Sequence, residues 1–369
     1  MTVSGKPKYC IIGLKTPLHL INMNVLEAAR VLGLSTISFL TALSVTPLVA
    51  RLLYKFQLHK QIRSKEFAPV FYELHKKKEN TPTMGGLIIW VTVLGLALIF
   101  ALLSWLFGGF WNYLNFVDRA QTYLPIAAML LAALLGLIDD LMGVFRFGHN
   151  GGGLKVSQKL LMYFLLALAG GLWFYYRLDW TTLSVPFIGS IEIGWWYVPI
   201  FMFIIIASAF SANETDGLDG LAGGVLLFSF GALTVVAFTI GRYHLAAFSG
   251  MTVGALLAFL WFNIYPARFF MGDTGSMALG ITMGVMAMLT NTALFLPFFA
   301  SILVLESLSV VLQLTSKKLF GRKVFISTPI HHHFEALGWP ETKVTMRFWI
   351  ISAVFSALGL ALFFIAKFL

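Results

Sequence analysis

The sequence predicts an all-α membrane protein with about ten transmembrane helices. Its 369 residues are 59% hydrophobic and 11% charged, and the mean hydropathy is +0.84. An ordinary soluble domain carries about 25% charged residues. The apolar residues also form long runs, and a spanning helix needs about 20 of them. Runs of this length are too long to be half-buried strands.

Ten apolar runs are long enough, or nearly so, to cross a bilayer. They lie near residues 31–53, 84–107, 122–138, 158–176, 195–212, 220–241, 245–262, 275–291, 294–315 and 346–368. We therefore predict one integral-membrane domain over 31–369, preceded by an N-terminal extension over 1–30. The extension lacks an apolar core followed by a small-residue cleavage site, so we expect no cleaved signal peptide. The single cysteine excludes a disulfide framework within the chain.

Lysine and arginine predict the orientation, because short cytoplasmic loops carry an excess of both. With both termini outside, the cytoplasmic connections are 54–80, 139–157, 213–219, 263–274 and 316–345. The first and last hold most of the basic residues, namely Lys55, Lys60, Arg63, Lys65, Lys76, Lys77, Lys78, Lys317, Lys318, Arg322, Lys323 and Lys343. The opposite loops hold little more than Arg119, Arg177 and Arg242.

Acidic and histidine clusters collect on the same predicted cytoplasmic face. They comprise Asp139, Asp140, Asp216, Asp219, Asp273 and 331–333. A net charge of +10 would favour nucleic-acid binding in a soluble protein. Here the basic residues flank membrane spans, so we expect membrane lipid as a partner and no nucleic acid.

Three predicted spans open at this face with glycine beside threonine or aspartate. The motifs are Thr81–Gly86, Thr215–Gly220 and Gly272–Ser276. Helix N-termini attract phosphate through free N–H groups and the helix dipole, and glycine lets a ligand or another backbone approach closely. The alternatives are an ordinary helix cap for the first and third motifs and a polar turn for the second.

Two pairs of acids are candidates for cation binding, since magnesium favours a few carboxylates plus phosphate oxygens. Asp216 and Asp219 are three residues apart and would share a face of the first helical turn. Asp139 and Asp140 point about 100° apart, and the glycines from Gly143 onward predict that the helix ends at this pair. One carboxylate can then bind a cation while the other acts as a base. A solvated pair at the membrane edge is the alternative.

Histidines and an intramembrane acid complete the candidate residues. His331, His332 and His333 would diverge on a regular helix, so they fit phosphate groups better than one zinc ion. A solvated loop is the alternative. Glu306 lies inside a predicted span with Gln313 on the same face. An acid in a span is a functional hypothesis by default, and a hydrogen-bonded structural glutamate is the alternative.

The chain resembles the phospho-N-acetylmuramoyl-pentapeptide transferase family of bacterial cell-wall synthesis. The resemblance rests on the order of Thr81–Gly86, Asp139-Asp140, Thr215–Gly220, Phe270–Ser276 and Pro329–Glu335 with Gly338-Trp339. It covers nearly all of the chain from about residue 31 onward. It implies transfer of phospho-MurNAc-pentapeptide from UDP-MurNAc-pentapeptide to undecaprenyl phosphate, giving lipid I and UMP. It further implies the bacterial cytoplasmic membrane and a magnesium requirement, and it is compatible with a homodimer.

The resemblance also implies roles for individual residues. Asp273 would be the chief magnesium ligand, and Asp139, with Asp140 beside it, would deprotonate or position the lipid phosphate. His332 would be the fourth catalytic residue. Substrate contacts would come from Lys78, Thr83, Lys159, Asn213, Asp216, Asp219, His331 and His333, and the nucleoside pocket from Asn263, Phe270 and Gln313.

The chemistry leaves the base role of Asp139 open. Attack of a phosphate oxygen on a pyrophosphate needs charge neutralisation and positioning more than a strong base, and a lipid phosphate is largely ionised at neutral pH. A covalent aspartyl-phosphate also stays open. Individual contacts differ from the family pattern at Phe210, Glu214, Leu141 and Gly143, where asparagine, leucine, an aromatic residue and lysine are usual.

Three other functions are compatible with parts of the sequence. A related transferase of UDP-N-acetylglucosamine would share the core and differ in the sugar pocket. An ion-coupled transporter should place its charges near mid-membrane and show inverted repeats. A non-catalytic lipid-binding scaffold would not need so many acids. Because the acids cluster at one face and Glu306 alone lies deep, the pattern favours the enzyme.

Overall fold

The computed structural model describes residues 18–59, 78, 81–118, 121–148 and 153–368, with side chains from residue 23 onward. Residues 1–17 of the predicted extension lie outside this part of the chain, as do the basic residues Lys60, Arg63, Lys65, Lys76, Lys77 and Arg119. The helices are α1 Leu18–Lys55, α2 Leu87–Phe107, α3 Phe110–Leu114, α4 Tyr123–Val144, α5 Val156–Arg177, α6 Tyr197–Thr215, α7 Leu221–Thr239, α8 Tyr243–Asn263, α9 Asp273–Leu289, α10 Leu296–Phe299, α11 Ser301–Phe320, α12 Ile330–Ala336 and α13 Glu341–Phe368.

All ten predicted apolar runs correspond to helices, the ninth to two of them, which confirms the all-α polytopic fold class. By length and composition, eight helices in the described ranges can cross a membrane, namely α1 from Met23, α2, α4, α5, α6 with the preceding turn, α7, α8 and α13. Helix α9 is apolar but shorter, with 17 residues. Helices α10 and α11 form a bent pair.

The bend between α10 and α11 was not predicted. The sequence favoured one span over 294–315, but the chain turns by 91° between Phe299 and Ser301. Helix α11 then runs to Phe320 and carries Glu306 and Gln313 on its buried face. The two helices are equally apolar where they meet, so hydropathy alone gives no sign of the break.

Two further elements differ from the prediction. Helix α1 begins at Leu18, inside the predicted extension, and its buried Arg30 bonds the Asn115 carbonyl at 2.8 Å. A two-stranded antiparallel hairpin joins α5 to α6, with β1 Thr182–Val185 paired to β2 Gly189–Glu192. Four-residue strands are too short to stand out beside the apolar runs.

Helices α8 and α9 are the most buried long helices in the described part of the chain. Every residue of α9 is buried, with α4 and α6 packed against it, while α1 and α7 pack on α8. Helices in lipid gain affinity by close backbone approach at small residues. Accordingly, a Cβ at Gly254 of α8 would lie 2.1 Å from the Ser35 carbonyl oxygen of α1. This packing gathers the polar ends of α4, α5, α6 and α9.

Candidate active site

One face of α4 holds the start of α9. The carbonyl of Ala133 accepts the Thr274 hydroxyl at 3.0 Å, and a Cβ at Gly136 would lie 2.3 Å from the Asp273 carbonyl oxygen. One turn later, the Asp140 carboxylate accepts the amide of Asp273 at 3.1 Å and that of Thr274 at 2.9 Å. Asp140 therefore positions Asp273 by capping its helix.

This arrangement corrects two predictions. Helix α4 continues to Val144, so it does not end at the Asp139-Asp140 pair. The first amides of α9 are not available to phosphate, because Asp140 accepts two of them and the Asp216 carboxylate accepts the Gly272 amide at 2.9 Å. Carboxylates thus occupy the helix N-terminus that was expected to bind an anion.

The carboxylates of Asp139 and Asp273 both contact the side chain of one lysine, Lys159. Lys159 Nζ lies 2.6 Å from Asp139 Oδ2 and 3.0 Å from Asp273 Oδ2. The Asn213 amide donates to Asp273 Oδ1, and the amide of Leu154 donates to Asp139 Oδ1 at 2.5 Å. Four helices, α4, α5, α6 and α9, therefore contribute one residue each to what we call the polar cluster: Asp139, Lys159, Asn213 and Asp273.

The polar cluster fits magnesium only together with phosphate ligands. Among the described residues, no group of three or more acidic, histidine or cysteine side chains is arranged to hold a metal ion. Magnesium in phosphoryl-transfer sites is typically held by one or two carboxylates plus substrate phosphates. Asp139 and Asp273 provide two carboxylates around one cationic group, Lys159, so the donor set is of that type.

The glycine pair before α2 serves backbone packing against the Asp273 loop. Gly85 and Gly86 donate their amides to the carbonyls of Phe270 and Met271, both at 2.8 Å. A Cβ at Gly86 would lie 2.2 Å from Gly275 Cα. Thr83 is buried beside this loop, and a Cβ at Gly272 would lie 2.7 Å from its hydroxyl oxygen. The prediction of a close backbone approach is confirmed.

A second group of charges lies around Lys78. Its Nζ lies 2.6 Å from Asp219 Oδ1 and 2.5 Å from Glu341 Oε1, and it sits 5.8 Å from the ring centroid of Phe270. A cation over an aromatic face is attracted to it. Lys78, Asp219 and Phe270, three predicted contacts of substrate, therefore form one group next to the Asp273 loop.

Asp216 and Asp219 do not share a helical turn, contrary to the prediction. Asp216 follows the last residue of α6, and α7 begins only at Leu221. Their carboxylates reach different backbone amides, of Gly272 and of Ala267, each at 2.9 Å. Asn263 likewise joins two loops, since its amide group accepts from Gly220 and donates to Phe269. These residues shape the loops around the cluster, and their nucleotide contacts stay predictions.

The three histidines lie on the short helix α12 and diverge as predicted. His331 is fully buried against Glu306, with Nδ1 3.0 Å from the carboxylate. Its ring also faces the acidic loop, because a Cβ at Gly217 would lie 2.3 Å from Nε2. His332 Nδ1 lies 2.7 Å from Glu335, and His333 Nδ1 accepts the Ile326 amide at 3.3 Å.

Gln313 holds the loop that leads to the histidines. Its side-chain oxygen accepts the amides of Val324 and Phe325 at 2.9 and 3.0 Å, and its nitrogen donates to the Phe325 carbonyl at 2.9 Å. Both ends of the amide group are thus bonded to backbone. The predicted nucleoside contact of Gln313 stays a prediction.

The buried pair of His331 and Glu306 makes stability depend on pH. Burial is the largest influence on the pKa of His331 and lowers it, but the charge and hydrogen bond of Glu306, together with nearby acids, outweigh burial and raise the pKa above its ordinary value. The nearby acids are Glu335 and Glu214. Because the folded-state pKa is raised, the pair stabilises the protein fully below about pH 6.5 and less as pH rises through the folded-state value.

We expect Glu306→Gln to destabilise the protein at acidic pH by about 3–5 kcal/mol, the usual cost of breaking a buried ion pair. Thermal unfolding in detergent should show the gap between wild type and variant narrowing as pH rises above about 6.5. Glu192→Gln, on the exposed strand β2, serves as the control. A gap that stays constant or widens with pH would contradict the assignment.

Two residues near the site were missed from the sequence. Glu341 binds Lys78 and also accepts the Asp219 amide at 2.6 Å; its place in the first turn of α13 after Pro340 was the available signal. Tyr163 lies one turn after Lys159 on α5, with its hydroxyl buried. The i, i+4 spacing from Lys159 would have placed it on the same face.

Two family models and several known proteins match this chain. Residues 122–291 match the family model described as Glycosyl transferase family 4, and residues 78–89 match the phospho-N-acetylmuramoyl-pentapeptide-transferase signature 1. A phospho-N-acetylmuramoyl-pentapeptide-transferase of Clostridium perfringens strain 13 is 37% identical over 328 residues, covering 88% of this chain and 96% of that protein. The chain belongs to the phospho-N-acetylmuramoyl-pentapeptide-transferase family.

Other members of the phospho-N-acetylmuramoyl-pentapeptide-transferase family match over a similar extent. The protein of that name from Chloroflexus aurantiacus is 36% identical over 351 residues, covering 92% of this chain and 90% of its own. The one from Anoxybacillus flavithermus is 36% identical over 325 residues, covering 88% and 95%. The family signature spans Lys78, Thr83 and the glycine pair, so it includes the segment that packs on the Asp273 loop.

Proposed function

We propose that this membrane transferase moves phospho-MurNAc-pentapeptide from UDP-MurNAc-pentapeptide to undecaprenyl phosphate, giving lipid I and UMP. The observation that carries the proposal is the match to phospho-N-acetylmuramoyl-pentapeptide-transferases over 88–92% of the chain. The charges around Asp139, Lys159 and Asp273 support the same chemistry. They lie at the end of the bundle, where a lipid headgroup and a soluble nucleotide can meet.

The reaction replaces one phosphorus–oxygen bond by another. An oxygen of the lipid phosphate attacks the phosphorus next to the sugar, and UMP leaves with the electrons of the broken bond. Such transfers depend on positioning and charge stabilisation. Lys159 supplies a positive charge where phosphate groups would approach, and Asn213 and Asp140 hold Asp273 in orientation. Asp139, held by the Leu154 amide, would position the lipid phosphate.

Magnesium is proposed as the cofactor. Asp273 would be its chief ligand and Asp139 a second, since these carboxylates converge on one cationic group in the polar cluster. When bound, the ion would neutralise charge on the phosphates. Lys78 and Asp219, beside the Phe270 ring, are placed to receive the nucleotide on the other side of the Asp273 loop.

The assay that tests this function uses the purified full-length protein in detergent. It receives UDP-MurNAc-pentapeptide, undecaprenyl phosphate and magnesium, and UMP release is measured. We expect UMP and a lipid-linked product, and no turnover when magnesium is chelated. Turnover with UDP-N-acetylglucosamine instead of the muramoyl nucleotide would overturn the specific proposal in favour of the related transferase.

We also propose that the polar cluster faces the cytoplasm and that both termini lie outside, in the bacterial inner membrane. The support is the excess of lysine and arginine in 54–80 and 316–345. In a Cys10→Ser background, the thiol introduced by Lys318→Cys should resist an impermeant thiol reagent in sealed cells and react after permeabilisation. Labelling before permeabilisation would reverse the orientation. A homodimer stays a prediction.

A further inference from the structure

An apolar crevice of about 210 Å³ lies between α4 and α5. Helix α4 packs on α9, and α5 packs on α6, so the floor of the crevice is made by α6 and α9. The walls that the argument uses are Ala127 and Leu131 of α4 and Leu166 and Ala169 of α5. Leu131 is half exposed, so the crevice is open on the side that faces lipid.

The crevice is built from the same four helices as the polar cluster. Counted along each helix, the nearest crevice residue is seven or eight positions from the cluster residue, in the pairs Leu131 and Asp139, Leu166 and Lys159, Ile205 and Asn213, and Ile281 and Asp273. At 1.5 Å per residue this separation is about 10–12 Å in every helix. In each of the four helices the crevice therefore lies about two turns from the cluster.

Tyr163 stands between the crevice and the cluster. It lies four residues after Lys159 and three before Leu166 on α5, and its side chain is 1% exposed. Its hydroxyl is buried with no hydrogen-bond partner among the described residues, although Asp139 and Asp273 are close enough for their charges to act on it. A buried hydroxyl normally has a partner, so this one points to a ligand.

We infer that the crevice binds the prenyl chain of the lipid phosphate from about 10 Å beyond the phosphate group onward, and that the Tyr163 hydroxyl donates to the phosphate group. The inference rests on the proposed function. The lipid phosphate is an amphiphile with an apolar and an anionic part. Its prenyl chain would contact the apolar walls of the crevice, and its phosphate group would contact Lys159 and Tyr163. Since lipid tails are as apolar as the crevice, binding there depends on shape and on the phosphate contacts.

A second apolar groove of the same protein can be compared with the crevice as a possible site for the prenyl chain. It has about 430 Å³ and lies among α1, α7 and α8, lined by Val31, Ser35, Gly231 and Leu257, among others. None of these three helices contributes to the polar cluster. The nearby charge is Arg30, which is already bonded to Glu27 and the Asn115 carbonyl. An amphiphile in this groove would have its phosphate far from Lys159.

The first test places a tryptophan in the crevice and, in a separate variant, in the second groove. Ala169→Trp should raise the KM for undecaprenyl phosphate, expressed as a mole fraction in detergent, about tenfold. It should change neither the KM for the nucleotide nor turnover with a short-chain prenyl phosphate whose chain ends before the crevice. Gly231→Trp, where a Cβ has open space around it, should leave all three unchanged. An Ala169→Trp variant that keeps the wild-type KM, or a Gly231→Trp variant that loses affinity for long chains, would overturn the inference.

The second test removes the hydroxyl. Tyr163→Phe should raise the KM for both long-chain and short-chain lipid phosphates by about tenfold or more, the effect of losing a hydrogen bond to a charged group. Tyr197→Phe removes another buried hydroxyl, at the far end of α6, that has no hydrogen-bond partner within the described part of the chain, and it should change neither KM. Equal behaviour of the two variants would reject the role of Tyr163.

A third measurement uses the wild-type protein, so its outcome does not depend on whether a variant folds. A photoreactive prenyl phosphate cross-linked to the wild-type protein should label peptides from α4 and α5, and excess undecaprenyl phosphate should compete with it. Labelling confined to α1 and α8 would contradict the inference. Absence of UMP release from the wild-type protein would instead reject the proposed function, so the two failures are distinguishable.

Discussion

Asp273→Asn is expected to lower UMP release by about 10³-fold, the scale seen when one preorganised electrostatic contact is lost from a transfer site. Asparagine keeps the shape and can still accept from Asn213, but it removes the charge that Lys159 balances and one of two converging carboxylates. Turnover measured against magnesium concentration should show both a lower maximum and a weaker dependence on the ion.

The matched control for Asp273 is an acid remote from the polar cluster. Glu192→Gln, on the exposed strand β2, should retain wild-type turnover and the same magnesium dependence. Full magnesium-dependent activity in Asp273→Asn would remove this residue from the site, and Asp139 would then be the first carboxylate to test.

The second large effect is expected at Asp140, because it caps the helix that presents Asp273. Asp140→Ala leaves the buried amides of Asp273 and Thr274 without their acceptor, and each such group costs about 1–3 kcal/mol. We expect a lower unfolding temperature together with a fall in turnover of about 10²-fold, as Asp273 moves out of position.

Asp140→Asn separates positioning from proton transfer. Its side-chain oxygen can still accept one amide, so the variant should recover part of the stability and part of the turnover lost in Asp140→Ala. The pH dependence of its remaining activity should match that of the wild type. If Asp140 were a base, Asn and Ala would be equally inactive, and the pH profile of any residual activity would change shape.

The membrane fold could be predicted because lipid restricts the chain to long apolar helices. The ten runs and the short α9 were visible in the sequence for this reason. Asp139 and Asp140 were also expected to point apart, and they do: one carboxylate reaches Lys159 and the other caps α9. The spacing of side chains around a helix is a local property, so no tertiary information was needed.

Pairings between distant segments could not be read in the same way. The sequence showed glycine and acidic residues at the openings of α7 and α9, but not that Asp140 and Asp216 would accept the amides at the start of α9. Glu341 was missed for the same reason, since its partners lie 122 and 263 positions away. At the bend before α11, helix α10 likewise packs against α7 and α13, which are distant in sequence.

The contact between Gly86 and Gly275 has a consequence for how this protein can vary. Every other amino acid carries at least a Cβ, and at Gly86 that atom would overlap Gly275 Cα. Any missense change in that codon therefore pushes α2 away from the Asp273 loop. A compound that binds the backbone at Gly86 would therefore meet a position where any substitution disturbs the packing of the Asp273 loop, which leaves few routes to resistance at that position.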